Sequence, residues 1–360
     1  MKASPHLLVY ISAHGFGHIA QVAPVLNALT ARVPGVRLTL KSAAPMMQLT
    51  SRLTGEFLHI PEATDFGMVM ASAMDVKVEP SMQAYSAFHR DWNARVQHEA
   101  QNISRLVPDF VLSDVAYLPL AAAKQVDIPC AAMCSLNWGD IFRHYCGAMS
   151  EAAQIHCEMQ QAYASADAFL RLTPGMPMVD LPNLKPIGPV AGLGRNRRSE
   201  IDMKLGLHCD DHLVLVTLGG IATRLPMQRW PVLPGIHWLV SADWEIEHTK
   251  VSILEMLGMN FTDVLASCDA LLCKPGYGSF VEAACNGVPV LYVGRPDWPE
   301  QPCLVEWLSS HGCCLEVERE ELEAGAIGGT LEALFSLPKA APVAPGGIAE
   351  VVDYLASYLC

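Results

Sequence analysis

Short, strongly apolar segments alternate with helical patterns along this chain, and the alternation begins a second time after its middle. The first series contains LLVYISA, VRLTLKSA, FVLSDV and PCAAMCS, with helical patterns at about 19–31 and at 118–125. A second series contains LVLVTLGG, IHWLVSA, DALLCKPG and PVLYVG. Apolar strands that alternate with helices are typical of βαβ units around a parallel sheet. The pattern predicts an α/β chain with two doubly wound, Rossmann-like domains.

The length of the chain and the position of its linker define the expected domains. At 360 residues the chain exceeds what one compact core usually holds. A stretch rich in Pro, Gly and Arg separates the two series near residues 185–200. We therefore expect an N-terminal domain over 1–185, a C-terminal domain over 200–345, and a final helix over 346–360 that crosses back toward the N-terminal domain.

The composition excludes several classes of partner. The formal charge of −13 repels nucleic acid and anionic lipid. No segment approaches the roughly 20 apolar residues that span a bilayer, so we expect no integral membrane segment. The twelve Cys are scattered without a CxxC pair, which predicts buried free thiols and a cytoplasmic location. The sequence indicates no particular oligomeric state.

The turn KPGYGS, Lys274 to Ser279, follows a predicted strand and leads into a helix. Its glycines, Gly276 and Gly278, leave backbone N–H groups at the positive end of that helix, where phosphate oxygens bind. Lys274 adds a cation, Ser279 a hydroxyl, and Glu282 a carboxylate that can accept hydrogen bonds from a vicinal diol. The turn predicts a site for a diphosphate next to a ribose. The structural alternative is that the glycines only permit tight packing of strand and helix.

The longer segment PGYGSFVEAACNGVPVLYVGRPDWPEQ resembles the donor-site signature of GT-B glycosyltransferases, including UDP-glycosyltransferases and the lipid II N-acetylglucosaminyltransferase. In those families the small residues at the positions of Gly278 and Ser279 cap the diphosphate, and the Glu at the position of Glu282 holds the ribose hydroxyls. Lys274 stands where many members have a phosphate-binding His, so the cation is retained in a different residue type.

The resemblance extends to residues on both sides of this turn. An acidic residue followed by Gln grips the donor sugar in these families, and Glu300 and Gln301 resemble that pair. Gly219 and Gly220 resemble the family's other Gly-rich loop near the donor phosphates.

In the N-terminal half, HGFGHIAQVAPVLNAL resembles the loop and first helix of the same families, in which a Gly-His carries the base that activates the acceptor hydroxyl. Gly17 and His18 occupy that position, and an imidazole titrates near neutral pH. Asp114 aligns with the family's Asp that orients the imidazole. Three alternatives stay open: His14 as the base, a turn-stabilising role for either histidine, and Asp114 as the cap of the following helix.

Over most of its length the chain resembles the N-terminal glycosyltransferase-like module of L-arabinokinases, in HGFGH, DFVLSDVAYLPLAAA, SLNWGDIFRHYC and CKPGYGSFVEA. Asn137 and Trp138 follow a predicted strand, where they would line an acceptor pocket. A packed Trp beside a capping Asp140 is the structural alternative.

These resemblances imply a GT-B fold of two facing Rossmann-like domains and inverting transfer of a sugar from a nucleoside-diphosphate sugar to an unknown acceptor hydroxyl. Family frequency favours uracil as the base. The sequence contains no Asp-x-Asp motif, so we expect metal-independent transfer with no cofactor beyond the sugar nucleotide as co-substrate. The alternatives are a sugar-nucleotide epimerase of the same fold and a non-catalytic sugar-nucleotide-binding module.

Overall fold

A computed structural model describes residues 4–219 and 225–360. All thirteen strands of this part of the chain lie in two parallel sheets. The strands are β1 His6–Tyr10, β2 Arg37–Lys41, β3 Leu58–Ile60, β4 Phe110–Ser113, β5 Cys130–Cys134, β6 Ala168–Leu172, β7 Leu184–Ile187, β8 His212–Thr217, β9 Ile236–Val240, β10 Val251–Ile253, β11 Ala270–Cys273, β12 Val290–Val293 and β13 Cys314–Val317.

Helices connect these strands. They are α1 Phe16–Arg32, α2 Met46–Thr50, α3 Val78–Arg90, α4 Trp92–Leu106, α5 Leu118–Gln125, α6 Trp138–Cys146, α7 Ala152–Ser165, α8 Arg198–Leu205, α9 Phe261–Leu265, α10 Tyr277–Asn286, α11 Gln301–His311, α12 Arg319–Ala324, α13 Gly328–Ser336 and α14 Gly347–Leu359. Short 3-10 helices span Met227–Arg229, Ala242–Trp244 and Leu254–Leu257.

The chain divides into two compact units. The N-terminal unit comprises Met1–Val190 and Pro345–Cys360, and the C-terminal unit comprises Ala191–Ala344. The last helix, α14, belongs to the N-terminal unit, where it packs against α1.

The N-terminal unit is built on a seven-stranded sheet of order β3-β2-β1-β4-β5-β6-β7. The residues of β1, β4 and β5 are all buried, as expected for strands covered by helices on both faces. The direction of the strand order reverses between β1 and β4. In open α/β sheets ligands bind at this switch point, outside the carboxyl ends of the strands.

A buried polar cluster links β1, β2 and α4. The ammonium of Lys41 lies 3.0 and 2.9 Å from the two carboxylate oxygens of Glu99. The Tyr10 hydroxyl donates to Glu99 at 2.5 Å, and Glu62 pairs with Lys41 from the surface at 2.8 Å. Each buried charge therefore has a partner, which offsets its loss of hydration.

The C-terminal unit repeats the same plan in a six-stranded sheet of order β10-β9-β8-β11-β12-β13, which reverses between β8 and β11. Its α10 ends at Asn286 because Gly287 follows in the left-handed conformation, with φ 70°. All twelve Cys are free thiols, and six of them are buried. No helix of the described ranges combines the length and the apolar character that crossing a membrane requires.

Candidate functional site

His18 lies at the switch point of the N-terminal sheet, in the first turn of α1. Gly15, in extended conformation, precedes the helix, and the helix N-terminus has no side-chain cap. A methyl group added at Gly15 or Gly17 would meet no heavy atom within 4 Å, so close packing does not require glycine there. His18 itself is buried. The loop therefore places an imidazole, instead of a capping side chain, at the start of α1.

Asp114 directly follows β4 and is fully buried. Its Oδ2 lies 2.8 Å from Nδ1 of His18 and accepts the backbone N–H of Ser12 at 3.3 Å. Its own backbone N–H donates to the Tyr10 carbonyl at 2.9 Å. Helix α5 begins after Tyr117 and has no side-chain cap, so Asp114 does not cap it. The two predicted residues are thus brought together as a buried imidazole–carboxylate pair.

His14 has different surroundings. Its Nδ1 lies 3.3 Å from the carbonyl oxygen of Phe66, and its backbone N–H donates to the Ser12 hydroxyl at 3.3 Å. Its ring meets Trp138 edge-on, with centroids 5.0 Å apart. Because Nδ1 of His18 faces a carboxylate and Nδ1 of His14 faces a carbonyl, the geometry favours His18 as the base.

Asn137 and Trp138 lie inside the unit. Asn137 caps α6 by accepting the Asp140 backbone N–H at 2.7 Å, and Trp138 is fully buried. The indole N–H of Trp138 donates to Asp65 at 2.7 Å. Trp138 is packed as the structural alternative expects, but the cap of α6 is Asn137 and not Asp140. The ring of Trp138 lies 5.8 Å from that of His18.

The sequence did not indicate Asp65, which this structure brings to the same place. It lies in the loop after β3, a short strand with a half-exposed pattern, and belongs to no motif. Tertiary contacts bring it next to Trp138, so no local signal in the sequence identified it.

One group of side chains in the described ranges has the atom types and spacing of a metal site. Ligand atoms of His18, Asp114 and Cys134 all lie within 4.8 Å of one another, and all three residues are buried. The close pair of His18 and Asp114 already uses two of these atoms.

In the C-terminal unit, the turn after β11 leads directly into α10. Gly276 is the extended residue before the helix, and no side chain caps the helix or places an acid in its first turn. The first N–H groups of α10, among them those of Gly278 and Ser279, have no acceptor within the helix. Such a terminus favours an anion.

Lys274 precedes this turn at the end of β11. Burial lowers the pKa of its ammonium to about 8, with a further lowering from Arg295 and an opposing contribution from Glu300. Gly219, which follows β8, has φ 84°, and a Cβ atom there would lie 3.2 Å from Cε of Lys274. The side chain of Lys274 therefore lies next to the carboxyl ends of both β8 and β11. Gly220 lies outside the described residues.

Glu282 lies one turn into α10 and is buried. Its carbonyl accepts the side-chain N–H of Asn286 at 2.7 Å, and Asn286 also binds Gly192 and Gly194 at the start of the unit. Burial and the charge of Glu282 raise the pKa of the Cys285 thiol to about 12. The carboxylate is thus held on a rigid, firmly anchored helix.

Glu300 and Gln301 take part in the turn after β12. The Trp298 indole N–H donates to Glu300 at 3.2 Å, and the Arg295 backbone N–H donates to the Gln301 side-chain oxygen. The guanidinium of Arg295 lies 3.9 Å from the Trp298 ring centroid. Sequence reasoning missed Arg295, a buried cation close to Lys274.

No protein-family model matches the chain. It is 27% identical over 352 residues to L-arabinokinase of Arabidopsis thaliana, and the match covers 96% of this chain and 33% of that protein. The chain thus spans about a third of the length of this curated relative.

Solved structures that are similar over nearly the whole chain include the following three. CalG4, the calicheamicin glycosyltransferase, has a TM-score of 0.62 at 15% identity and covers 99% of this chain and 98% of its own. Arabidopsis thaliana UGT89C1, complexed with UDP, has a TM-score of 0.60 at 15% identity, with 99% and 100% covered. A putative UDP-N-acetylglucosamine 2-epimerase from Listeria monocytogenes has a TM-score of 0.56 at 13% identity, with 99% and 95% covered.

Similarity at these identities shows the fold. The predicted fold class, GT-B with two Rossmann-like α/β units, is confirmed, as is the predicted resemblance to GT-B glycosyltransferases and L-arabinokinase.

Proposed function

We propose that this protein is a glycosyltransferase that moves a sugar from a nucleoside-diphosphate sugar, UDP-linked by preference, to an acceptor hydroxyl with inversion at the anomeric carbon. The observation that carries the proposal is the buried pair of His18 and Asp114, 2.8 Å apart, at the switch point of its sheet. A protein that only bound sugar nucleotides would have no need of an oriented imidazole there.

The C-terminal unit supplies the donor site in this proposal. The diphosphate accepts hydrogen bonds from the uncapped N–H groups of α10 and faces the ammonium of Lys274. Glu282 accepts hydrogen bonds from the ribose hydroxyls, while Glu300 and Gln301 contact the sugar. The UDP bound by UGT89C1 supports a uridine diphosphate as the first candidate.

The N-terminal unit activates the acceptor. Nδ1 of His18 lies 2.8 Å from the carboxylate of Asp114, so Nε2 of the neutral imidazole is the nitrogen that takes the proton of the acceptor hydroxyl. The acceptor oxygen forms a bond to the anomeric carbon as the bond to the diphosphate breaks. Asp114 stabilises the imidazolium that results, and Lys274 and the helix amides stabilise the leaving diphosphate.

We further propose that transfer needs neither a metal nor a cofactor. Lys274 and the α10 amides take the charge-neutralising part that Mg²⁺ has in other transferases. A metal on His18, Asp114 and Cys134 would occupy the atoms that the base uses, so we assign these residues to base chemistry. Turnover should survive treatment with EDTA, and loss of turnover that Mg²⁺ or Zn²⁺ restores would contradict this assignment.

Epimerisation is the second candidate, since the putative epimerase from Listeria monocytogenes shares the fold. An epimerase changes the sugar of the donor in the absence of any acceptor, whereas a transferase releases the nucleoside diphosphate.

Thermal denaturation with a panel of nucleoside diphosphates and sugar nucleotides tests the donor site. A ligand at a hundredfold excess over its dissociation constant stabilises the native state by about 2.7 kcal/mol. We expect UDP and UDP-sugars to raise the melting temperature, and Glu282→Gln to reduce the effect. No shift with any nucleotide contradicts the donor site.

The base is tested separately with His18→Ala, which should keep the nucleotide-induced shift and lose transfer by about 10²–10⁴-fold. Unchanged transfer in this variant would favour another base, whereas nucleotide binding without transfer by wild type would favour the non-catalytic module.

A further inference from the structure

The loop 61–76 between β3 and α3 lies against the HGFGH loop of the N-terminal unit. The Phe66 carbonyl lies 3.3 Å from Nδ1 of His14. At Gly67 the backbone has φ 62°, and a Cβ atom would lie 2.5 Å from the His14 ring and 2.9 Å from Trp138. Only glycine permits so close an approach, so the loop has a fixed place beside the first turn of α1.

This loop carries Asp65 to the indole of Trp138. Asp65 Oδ2 accepts the Trp138 Nε1–H at 2.7 Å. The same indole packs on both histidines of the HGFGH loop, with centroid distances of 5.0 Å to His14 and 5.8 Å to His18. Asp65 therefore sets the orientation of the ring that forms one wall around His18.

Ser12 connects Asp65 with Asp114. The side chain of Ser12 hydrogen-bonds to Asp65, while its backbone N–H donates to Asp114 at 3.3 Å. Two carboxylates thus bind Ser12, Asp65 at its side chain and Asp114 at its backbone. Asp114 contacts the imidazole of His18 directly, and Asp65 acts from a greater distance.

We propose that Asp65 is a positioning residue for the base: it fixes Trp138 against His18 and supplies a second negative charge to the imidazolium. The inference rests on the proposed function of His18. It adds a carboxylate to the pair of His18 and Asp114 and assigns a role to a loop outside any sequence motif.

The electrostatics of the site act on Asp65 in two opposite directions. Burial raises the pKa of Asp65, and hydrogen bonds from Trp138 and Ser12 oppose that effect. The charge of His18 also lowers the pKa of Asp65, so the charged imidazole and the charged carboxylate favour each other. In its ionised form, Asp65 therefore stabilises the imidazolium of His18 together with Asp114.

Asp65→Asn removes the negative charge but keeps the hydrogen bond, because an Asn oxygen still accepts the Trp138 N–H. Trp138→Phe removes the hydrogen bond and keeps a ring beside His18. Asp65→Glu restores the charge on a longer side chain. Asp75→Asn is the matched control, since it removes an exposed carboxylate from the same loop.

The kinetic test uses the hydrolysis of UDP-glucose by water, followed as UDP release, together with the affinity for UDP. We expect Asp65→Asn to lower kcat at least about tenfold, a part of the 10²–10⁴-fold that general base catalysis contributes. The affinity for UDP should not change, Asp65→Glu should recover part of the rate, and Asp75→Asn should match wild type. A wild-type rate in Asp65→Asn overturns the proposal.

A second measurement does not depend on turnover. The ring nitrogen chemical shifts of His18, assigned with His18→Gln, report the fraction of imidazolium at neutral pH. We expect Asp65→Asn to reduce that fraction and Asp75→Asn to leave it unchanged. Equal shifts in wild type and Asp65→Asn overturn the inference. If wild type neither binds nor hydrolyses any sugar nucleotide, the proposed function fails, while the shifts still decide the role of Asp65.

Discussion

Lys274 carries a charge that weakens the folded protein, and replacing it by Met should therefore raise the stability. Burial and the neighbouring Arg295 lower its pKa from 10.5 to about 8. A shift of this size corresponds to roughly 3 kcal/mol against the charged form in the folded state. We expect Lys274→Met to increase the free energy of unfolding by about 1–3 kcal/mol at pH 7, because Met fills a similar volume without a charge.

The gain should depend on pH in a defined direction. Since the folded-state pKa lies below the unfolded value, the cost of the charge is fully present below about pH 8. It fades between pH 8 and 10.5, as the folded protein loses the proton that the unfolded chain retains. The advantage of Lys274→Met should shrink over the same range.

The same substitution should weaken UDP binding about 10- to 100-fold, since a charge-assisted hydrogen bond contributes about 1.5–3 kcal/mol. Urea denaturation gives the stability, and calorimetry gives the affinity. The control is Lys339→Met, an exposed residue of the same unit, whose stability should stay within about 0.5 kcal/mol of wild type. A less stable Lys274→Met, or one that binds UDP as tightly as wild type, refutes the reasoning.

Three further results are expected. The UDP affinity of wild type should be level between about pH 7 and 8, where the terminal phosphate of UDP is ionised, and fall above pH 8 as Lys274 loses its proton. Lys274→Arg should show no such fall, and parallel curves for the two proteins would contradict a phosphate contact. Gly67→Ala should destabilise the protein by about 1–3 kcal/mol more than Gly258→Ala. Both positions have positive φ, but only at Gly67 is there no space for a Cβ atom, and equal losses of stability in urea denaturation would disprove this explanation. Lys41→Met should lower the free energy of unfolding by about 3–5 kcal/mol, because it removes the cation that is paired with a buried carboxylate. Glu62→Gln removes only an exposed partner of Lys41 and should lower it by at most about 1 kcal/mol, so comparable losses in the two variants would contradict these roles.

The architecture was predictable because its signals are local. The alternation of apolar segments and helical patterns predicted the central strands of both sheets, and the helix at 118–125 has the observed bounds of α5. The end of α10 also has a local cause, since Gly287 takes the left-handed conformation that ends helices. Strands β3, β6, β7, β10 and β13 were not predicted. They lie at or next to the edges of the two sheets, and β3 and β10 are only three residues long.

The site was predictable only where a motif marks a strand end. His18 and Asp114 lie 96 positions apart in sequence, and parallel pairing of β1 with β4 brings them together. The motifs single out neither Asp65 nor Arg295. Asp65 lies in an irregular loop and Arg295 in a turn, and the contacts of both residues arise from tertiary packing. Asn137 and Trp138 also follow a strand, yet both are buried: Asn137 caps α6, and the ring of Trp138 packs beside His18.

Nuclear magnetic resonance of a UDP-sugar incubated with the protein tests the central claim most directly, because the anomeric proton reports both bond cleavage and configuration. From an α-linked donor, we predict UDP release and a product whose first-formed anomer is β, with water or an added acceptor taking the sugar. The reaction should disappear in His18→Ala. Conversion of the sugar nucleotide to an epimer without UDP release, or an unchanged spectrum with every donor tried, would contradict the account.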